Sequence, residues 1–315
     1  MAVAIIGAGI AGLSCATRLQ ETGHQVTLFD KGRAAGGRMS TRSVATVAGV
    51  FSFDHGAQYL TARDPEFRSA IDDWEGHGVV APWPAAGANA WVGTPGMSAI
   101  VKHLAADVDV RWGTCVESID RTEVGWRLHP NIDGCYDAVI LAIPAEQAAP
   151  LLAPHDPSMA SEALACRSAP CWTVMLAFDL VLETPGDIVR DAGIMGWAAR
   201  NAAKPGRSGA ETWVIQATPD WSNAHLEDSA DLVIDQLVAA FAEYVVGQLP
   251  DPIVRIAHRW RYARVAASDL GSLWNADEGL GAAGDWLFGP RVESAWLSGR
   301  QLADRILEDH TLRSV

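Results

Sequence analysis

The chain has 315 residues, 49% of them hydrophobic, and a formal charge of −14 at neutral pH. That length suits about two domains with an ample core, and the acidic balance argues against a nucleic-acid or anionic-membrane partner. Its five cysteines (Cys15, Cys115, Cys135, Cys166, Cys171) form no C-x-x-C pair and no apolar run reaches membrane-spanning length, which reads as a cytoplasmic protein without a disulfide frame or zinc site.

The opening stretch VAIIGAGIAGLSCATRLQETGHQVTLFD (3–30) has no Lys or Arg before Arg18, so it lacks the flank of a cleavable leader. Residues 3–6 read as a short apolar strand, 10–22 as a helix, and 25–30 as a second strand with Val26 and Leu28 on one face. Between the first strand and the helix, Gly7, Gly9 and Gly12 are spaced G-x-G-x-x-G. Gly7 makes the tight turn, Gly9 lets backbone approach a pyrophosphate, and Gly12 lets the helix lie close on the sheet. The phosphates then rest on unpaired N–H groups at the positive end of the helix. Asp30 ends the second strand eighteen residues after Gly12, where a carboxylate accepts ribose hydroxyls. Three glycines alone also serve ordinary strand–turn–helix packing. Strand, loop, helix, strand and terminal acid in this order point to a dinucleotide.

Residues 31–42, KGRAAGGRMSTR, carry a second glycine pair, Gly36 and Gly37, followed by Arg38. Glycines permit close approach and an arginine pairs with a phosphate, an extension that a plain NAD-binding unit rarely has. Gly87 and the glycines from 93 to 96 mark a place where the chain crosses between domains. Residues 108–112 and 114–119 look like strands, and 138–142 (AVILA) is a buried-strand pattern ended by Pro144. Residues 170–182 and 212–217 suggest long strands of a second sheet. Leu232, Val233, Leu237, Phe241 and Tyr244 form a helical apolar stripe that serves core packing. Near the C-terminus, in 280–307, a short strand ends at Gly284 and Asp285 and a terminal helix opens near Val292. There Asp285 is placed to bind a polyol hydroxyl, and the helix N-terminus suits the anionic edge of a reduced flavin. Both later stretches narrow the nucleotide to FAD.

The pairing of GAGIAGL with GGRMSTR resembles the flavin-containing amine oxidase superfamily. FDHGAQYLTARDPEF (53–67), GWAARNAAKPGR (196–207), ETWVIQATPDWS (211–222), HRWRYA (258–263) and GDWLFGPRVESAWLSG (284–299) resemble bacterial renalase-like proteins more closely, and the resemblance covers essentially the whole chain. It implies an α/β fold with a discontinuous, Rossmann-type FAD-binding domain (1–62, 94–165 and 266–315). The substrate domain (63–93 and 166–265) is then α+β with an antiparallel sheet, the p-hydroxybenzoate hydroxylase-like arrangement. Matched residue by residue, it implies FAD contacts at Gly7, Gly9, Ala11, Gly12, Asp30, Lys31, Gly37, Arg38 and Met39. Further contacts are implied at Gly56, Ala57 and Gln58, at Val116 for the adenine, and at Gly284, Asp285, Arg291, Val292 and Glu293. No cysteine lies in 284–299, where some amine oxidases tether the flavin, so the FAD is expected to be non-covalent.

Superfamily members that oxidise amines usually keep a lysine on a substrate-domain strand, water-bridged to the flavin. The lysines here are Lys31, Lys102 and Lys204, and Lys204 falls in the loop KPGRSG, so that lysine is read as missing. The renalase-like resemblance accounts for this. It implies an oxidase that returns 2- and 6-dihydro isomers of NAD(P) to NAD(P)+ by hydride transfer to flavin N5, with O2 as reoxidant and H2O2 as product. A dihydropyridine aromatises on losing hydride and needs no general base; its site needs flat walls and a few hydrogen bonds. The aromatic candidates for those walls are Tyr59, Trp197, Trp260 and Trp286, although any one tryptophan more often fills a core than a site. His55 and His258 read as structural, since this chemistry uses neither. No cluster of metal ligands is expected, and the partners are a small-molecule substrate and O2. Two other readings stand beside it: a flavin enzyme on another small amine or apolar substrate, and a nucleotide-binding module without catalysis.

Overall fold

Runs of β-branched and apolar residues fold into strands wherever both faces can be covered. In the computed structural model, which describes residues 1–207 and 209–313 (312 and 313 by backbone only), these strands fall into two units. The first comprises residues 1–37, 101–168 and 265–313; the second, residues 38–100 and 169–264 apart from 208.

In the first unit, Ala2–Ile6, with four of its five residues buried, pairs in parallel with Ala138–Leu141 on one side and Gln25–Asp30 on the other. The full sheet runs Leu273–Asn275, Leu280–Ala282, Ala138–Leu141, Ala2–Ile6, Gln25–Asp30, Asp109–Trp112, parallel except for the first pair. This is a Rossmann-like sheet, whose ligands bind beyond the carboxyl ends of its strands. An antiparallel meander, Ser118–Thr122, Gly125–His129 and Ile132–Tyr136, belongs to the same unit. The strand expected over 114–119 begins only at Ser118, because the Thr114 N–H is taken by the Asp30 carbonyl at 2.9 Å.

Helix Ile10–Glu21 packs against the terminal helix Val292–Arg313. Their close crossing centres on Gly299: a Cβ there would stand 2.1 Å from both the Ala11 carbonyl oxygen and Ser14 Oγ. Ser14 Oγ donates across the crossing to the Trp296 carbonyl at 2.8 Å.

The second unit is built on a five-stranded antiparallel sheet in the order Ile188–Ala192, Met195–Arg200, Glu211–Ala217, Ala169–Phe178, Val254–Arg264. Alternation sorts its side chains to two faces. Val174, Leu176, Phe178, Trp213 and Ile215 pack beneath helix Ala230–Ala242 through Val233, Ile234, Leu237 and Phe241. Leu232, expected in that stripe, is 46% exposed, and Ile234 takes the buried position. On the opposite face Met175, Ala177 and Val214 meet Phe51 and Phe53 of the hairpin Thr41–Thr46/Gly49–Asp54. A small sheet of Leu60–Thr61, Ala90–Gly93 and Val80–Pro82 and helix Pro65–Gly76, capped by the Asp64 carboxylate, complete the unit.

The sequence reading groups 38–62 and 94–100 with the nucleotide-binding segments; by packing they lie in the second unit. Hydrogen bonds hold them there, since the Met97 N–H donates to Asp54 and the Ser98 N–H to Thr41. Among the described residues no helix is long and apolar enough to cross a membrane.

Gly299→Ala should force the two crossing helices of the first unit apart. Overpacking of this kind costs about 1–3 kcal/mol, so thermal unfolding should show a Tm several degrees lower. An unchanged Tm would mean that the helices are free to separate without loss.

Candidate active site

The first unit presents a nucleotide cradle. Gly7 has φ of +105°, and a Cβ on it would lie 2.4 Å from the Ala142 carbonyl oxygen; a Cβ on Gly12 would lie 2.1 Å from the Gly7 carbonyl oxygen. Neither position tolerates a side chain, so strand, turn and helix are pressed together. At Gly9, the helix N-cap, the added atom would meet nothing within 4 Å, and no side chain caps the helix. That leaves open space before the first-turn N–H groups of a twelve-residue helix, where an anion is stabilised. Gly37, at φ +52°, brings backbone to the same place: a Cβ on it would lie 3.8 Å from the Gly9 Cα.

Asp30 closes the cradle. Its Oδ2 accepts from the Ala8 N–H and its Oδ1 from the Gly32 N–H, each at 2.7 Å. A carboxylate has about four lone-pair sites, so capacity remains on each oxygen for a ligand hydroxyl. Lys31 is exposed and donates to Gln147 Oε1 at 3.3 Å, Ala11 and Val116 are buried, and Gly284 donates its N–H to Ser298 Oγ at 2.9 Å. Asp285 opens a short turn before the terminal helix, and at that helix's start Arg291 pairs with buried Glu293 at 3.0 Å, Val292 lying between them. The residues fit a bound dinucleotide on three counts: required glycines, an uncapped helix end and a held carboxylate.

The second unit carries the aromatic candidates. Strand register sets Trp197, Gln216, Thr173 and His258 side by side on one face of the sheet, with Cys171 and Trp260 paired next along it. The turn 55–59 is fastened along this row. Trp260 Nε1 donates to the His55 carbonyl at 2.9 Å, Gln216 Nε2 donates to the Gly56 carbonyl at 2.8 Å, and the Tyr59 ring lies 5.4 Å from the Trp197 ring. Trp83 closes against both rings at 6.4 and 6.5 Å, and the Arg190 guanidinium lies 4.6 Å from the Trp197 ring centre. Gly56 admits nothing larger, since a Cβ would sit 2.0 Å from the Arg38 carbonyl oxygen, which also accepts the Ala57 N–H at 2.8 Å. Arg38 and Met39 form the short helical turn that begins at Gly37.

His55 and His258 meet edge to face at 4.9 Å beside Trp260. Burial, with the nearby His258 and Arg42 charges, pushes His55 down to about 4, and burial with Arg42 lowers His258 too. Both rings are therefore neutral at pH 7, and His55 Nδ1 is buried without a hydrogen-bond partner. Tyr59, Trp197 and Trp260 thus come together with Gly56, Ala57 and Gln58. Trp286 belongs to the first unit, where it is buried in the core.

Sequence reading passed over the charged centre of this unit. Asp54, fully buried, accepts from Thr41 Oγ1 at 2.8 Å and the Met97 N–H at 2.9 Å on Oδ1, and from Lys204 Nζ at 3.3 Å and Arg207 on Oδ2. Burial alone would raise its carboxyl, but the Lys204 and Arg207 charges and these hydrogen bonds outweigh it and hold it below the ordinary carboxylate value. Lys204 is no surface lysine of a glycine-containing loop: it is fully buried, donates also to Gln58 Oε1 at 3.1 Å and faces the Trp83 ring at 5.3 Å. The only local hint was the position of Asp54 directly before HGAQY and of Lys204 within GWAARNAAKPGR. Among the described residues no group of three or more His, Cys, Asp or Glu could hold a metal ion.

The profile described as NAD(P)-binding Rossmann-like domain matches residues 5–74, and that described as flavin containing amine oxidoreductase matches residues 84–307. Renalase of Mus musculus is 25% identical over 303 residues, covering 84% of this chain and 86% of the relative. A 4,4'-diapophytoene desaturase of Staphylococcus haemolyticus is 55% identical, but over 40 residues, 13% of this chain and 8% of the relative. Among solved structures, cyclohexylamine oxidase from Brevibacterium oxydans superposes with a TM-score of 0.71 at 13% identity, covering 98% of this chain and 99% of that one. A putrescine oxidase bound to putrescine gives a TM-score of 0.69 at 15% identity, with coverage of 98% and 99%. The fold is therefore that of these oxidases, with a Rossmann-like domain and an antiparallel-sheet domain. The chain belongs to the flavin-containing amine oxidoreductase family and is an FAD-dependent oxidoreductase.

Proposed function

We propose that the chain is a renalase-like oxidase acting on the 2- and 6-dihydro isomers of NAD(P), which it returns to NAD(P)+. The observation that supports this is the ionisation state of the aromatic row: His55 and His258 are held neutral, and the Lys204 ammonium already serves Asp54 and Gln58. None of the five strands of the sheet carries a lysine. Such a surface offers no strong base, since imidazoles with lowered pKa are weak proton acceptors, and a dihydropyridine needs none, because loss of hydride makes its ring aromatic.

When bound, FAD supplies the hydride acceptor at N5 and passes the electrons to O2, giving H2O2. The chain's own residues do the rest. In the first unit, Gly9 and the helix N-terminus hold the pyrophosphate, Asp30 takes the ribose hydroxyls, and Gly37 lets backbone close on the phosphates. Asp285 and the start of the terminal helix are proposed for the polyol and pyrimidine edge. In the second unit, Tyr59 and Trp197 give a planar substrate a flat apolar surface. Trp260 holds the 55–59 turn through the His55 carbonyl, a positioning role beside any contact its ring makes. Trp286, buried in the first unit's core, is proposed to support the turn that begins at Asp285.

Asp30→Ala should weaken FAD retention and leave the chemistry of remaining flavin intact. Hydrogen bonds to a charged acceptor are worth about 1.5–3 kcal/mol each, so titration of the FAD-free protein should show at least about tenfold weaker binding. A variant that binds FAD like the parent but is no longer reduced would remove Asp30 from the ribose site.

For the reaction, turnover of 6-dihydroNAD under air should give NAD+ and H2O2 in equal amounts, at a rate nearly flat from about pH 6 to 9. His55 titrates below that window, and Lys204, lowered by burial to about 8, keeps N–H donors for Gln58 in either form. An amine substrate would behave otherwise, its rate climbing through the amine pKa as the lone pair is freed. A steep rise of that kind, with no NAD+ formed, would replace this reading with the amine oxidase one.

A further inference from the structure

Two cations are buried on one carboxylate. Lys204 and Arg207 both reach Asp54 Oδ2, and the side chains of Asp54 and Lys204 are wholly buried and that of Arg207 nearly so. Asp54 needs only one of them. Arg207 alone balances its charge and is further held by the Gly93 and Pro205 carbonyls, each at 2.6 Å. Removing an ammonium from water is costly, and a second cation beside the first adds repulsion. Lys204 shows both effects: burial and the neighbouring Arg207 together bring its pKa down to about 8 against the pull of Asp54. A core selected for stability alone would put an apolar side chain here.

What the ammonium does is visible in Gln58. Lysine only donates, so the Gln58 atom that faces Nζ at 3.1 Å must be the amide oxygen. The amide nitrogen then points the other way, to the Asp54 carbonyl at 2.5 Å and the Gly56 carbonyl at 3.1 Å. The Gln58 side chain thus bridges its own turn, and its orientation is set from outside by Lys204.

We infer that Lys204 is a positioning residue: through the Gln58 amide it locks the turn 54–58 in one backbone conformation. The consequence for the flavin rests on the proposed FAD contacts at Gly56, Ala57 and Gln58. The lock itself does not depend on the substrate.

The test uses the FAD-loaded protein without substrate, so it is independent of which donor the enzyme takes. Lys204→Met keeps the Asp54–Arg207 pair and removes only the surplus cation. Hydrogen exchange of the peptide spanning 54–59 should accelerate by about tenfold, the equivalent of one lost hydrogen bond. The flavin midpoint potential should shift, while Tm stays equal or rises. Gln58→Leu, which leaves the charged cluster intact, should accelerate the same peptide by a similar factor, and the double variant should exceed neither single variant. Unchanged exchange and potential in Lys204→Met would overturn the inference. So would multiplicative effects in the double variant, or a Lys204→Met protein that fails to fold or exchanges faster throughout, since each would make Lys204 a structural residue. If the exchange effect appears while dihydronicotinamides fail as substrates, the lock stands and the substrate reading falls.

Discussion

The second unit is organised around the Asp54 carboxylate. A carboxylate offers about four lone-pair sites, and Asp54 receives Thr41, Met97, Lys204 and Arg207. Its N–H meets Asn201 Oδ1 and its carbonyl meets Gln58. One residue therefore joins the start of the hairpin, the 93–98 segment, the loop after strand Met195–Arg200, and the turn that follows it in sequence. Buried charge is tolerable only when paired and hydrogen-bonded, so each of these segments has one place to sit. The turn 55–59 inherits that precision and lies along a row of side chains whose spacing is fixed by strand register.

The first unit is governed by a different constraint, close approach of backbone. Gly7 against Ala142, Gly12 against Gly7 and Gly299 against Ala11 are contacts that a single added carbon would break. They bring the sheet, the first helix and the terminal helix near enough that the helix N-terminus, with no side chain over it, opens on the place where Asp30 is held. The suitability of this point for an anion follows from the packing rather than from any charged side chain.

These two constraints explain what the sequence disclosed. The nucleotide cradle is local: glycine spacing, two strands and an acid lie within thirty residues, and the strand Gln25–Asp30 has the bounds its pattern implies. Resemblance extended this to the whole fold. The Asp54 cluster is not local. Lys204 lies 150 positions from Asp54, and in its own neighbourhood, between two alanines and Pro-Gly, it reads as a solvated loop lysine. Trp260 was legible as a candidate wall of the substrate site, but its indole N–H on the His55 carbonyl follows from pairing between strands far apart in sequence. Trp286 packs into a core of the first unit, a setting its neighbours Gly284 and Asp285 did not disclose. Side chains whose role comes from distant partners leave little trace in their own segment.

The proposed reaction is hydride transfer from a misreduced nicotinamide, in place of amine oxidation. Anaerobic mixing of the FAD-loaded protein with single donors tests it most directly, with loss of the oxidised flavin absorbance as the readout. The 2- and 6-dihydro isomers of NAD(P) should each bleach the flavin rapidly. The ordinary 4-dihydro isomer should do so poorly, because a rigid pocket that presents one ring carbon withholds another. Fast bleaching by aliphatic or aromatic amines, with the dihydronicotinamide isomers inert, would contradict the account.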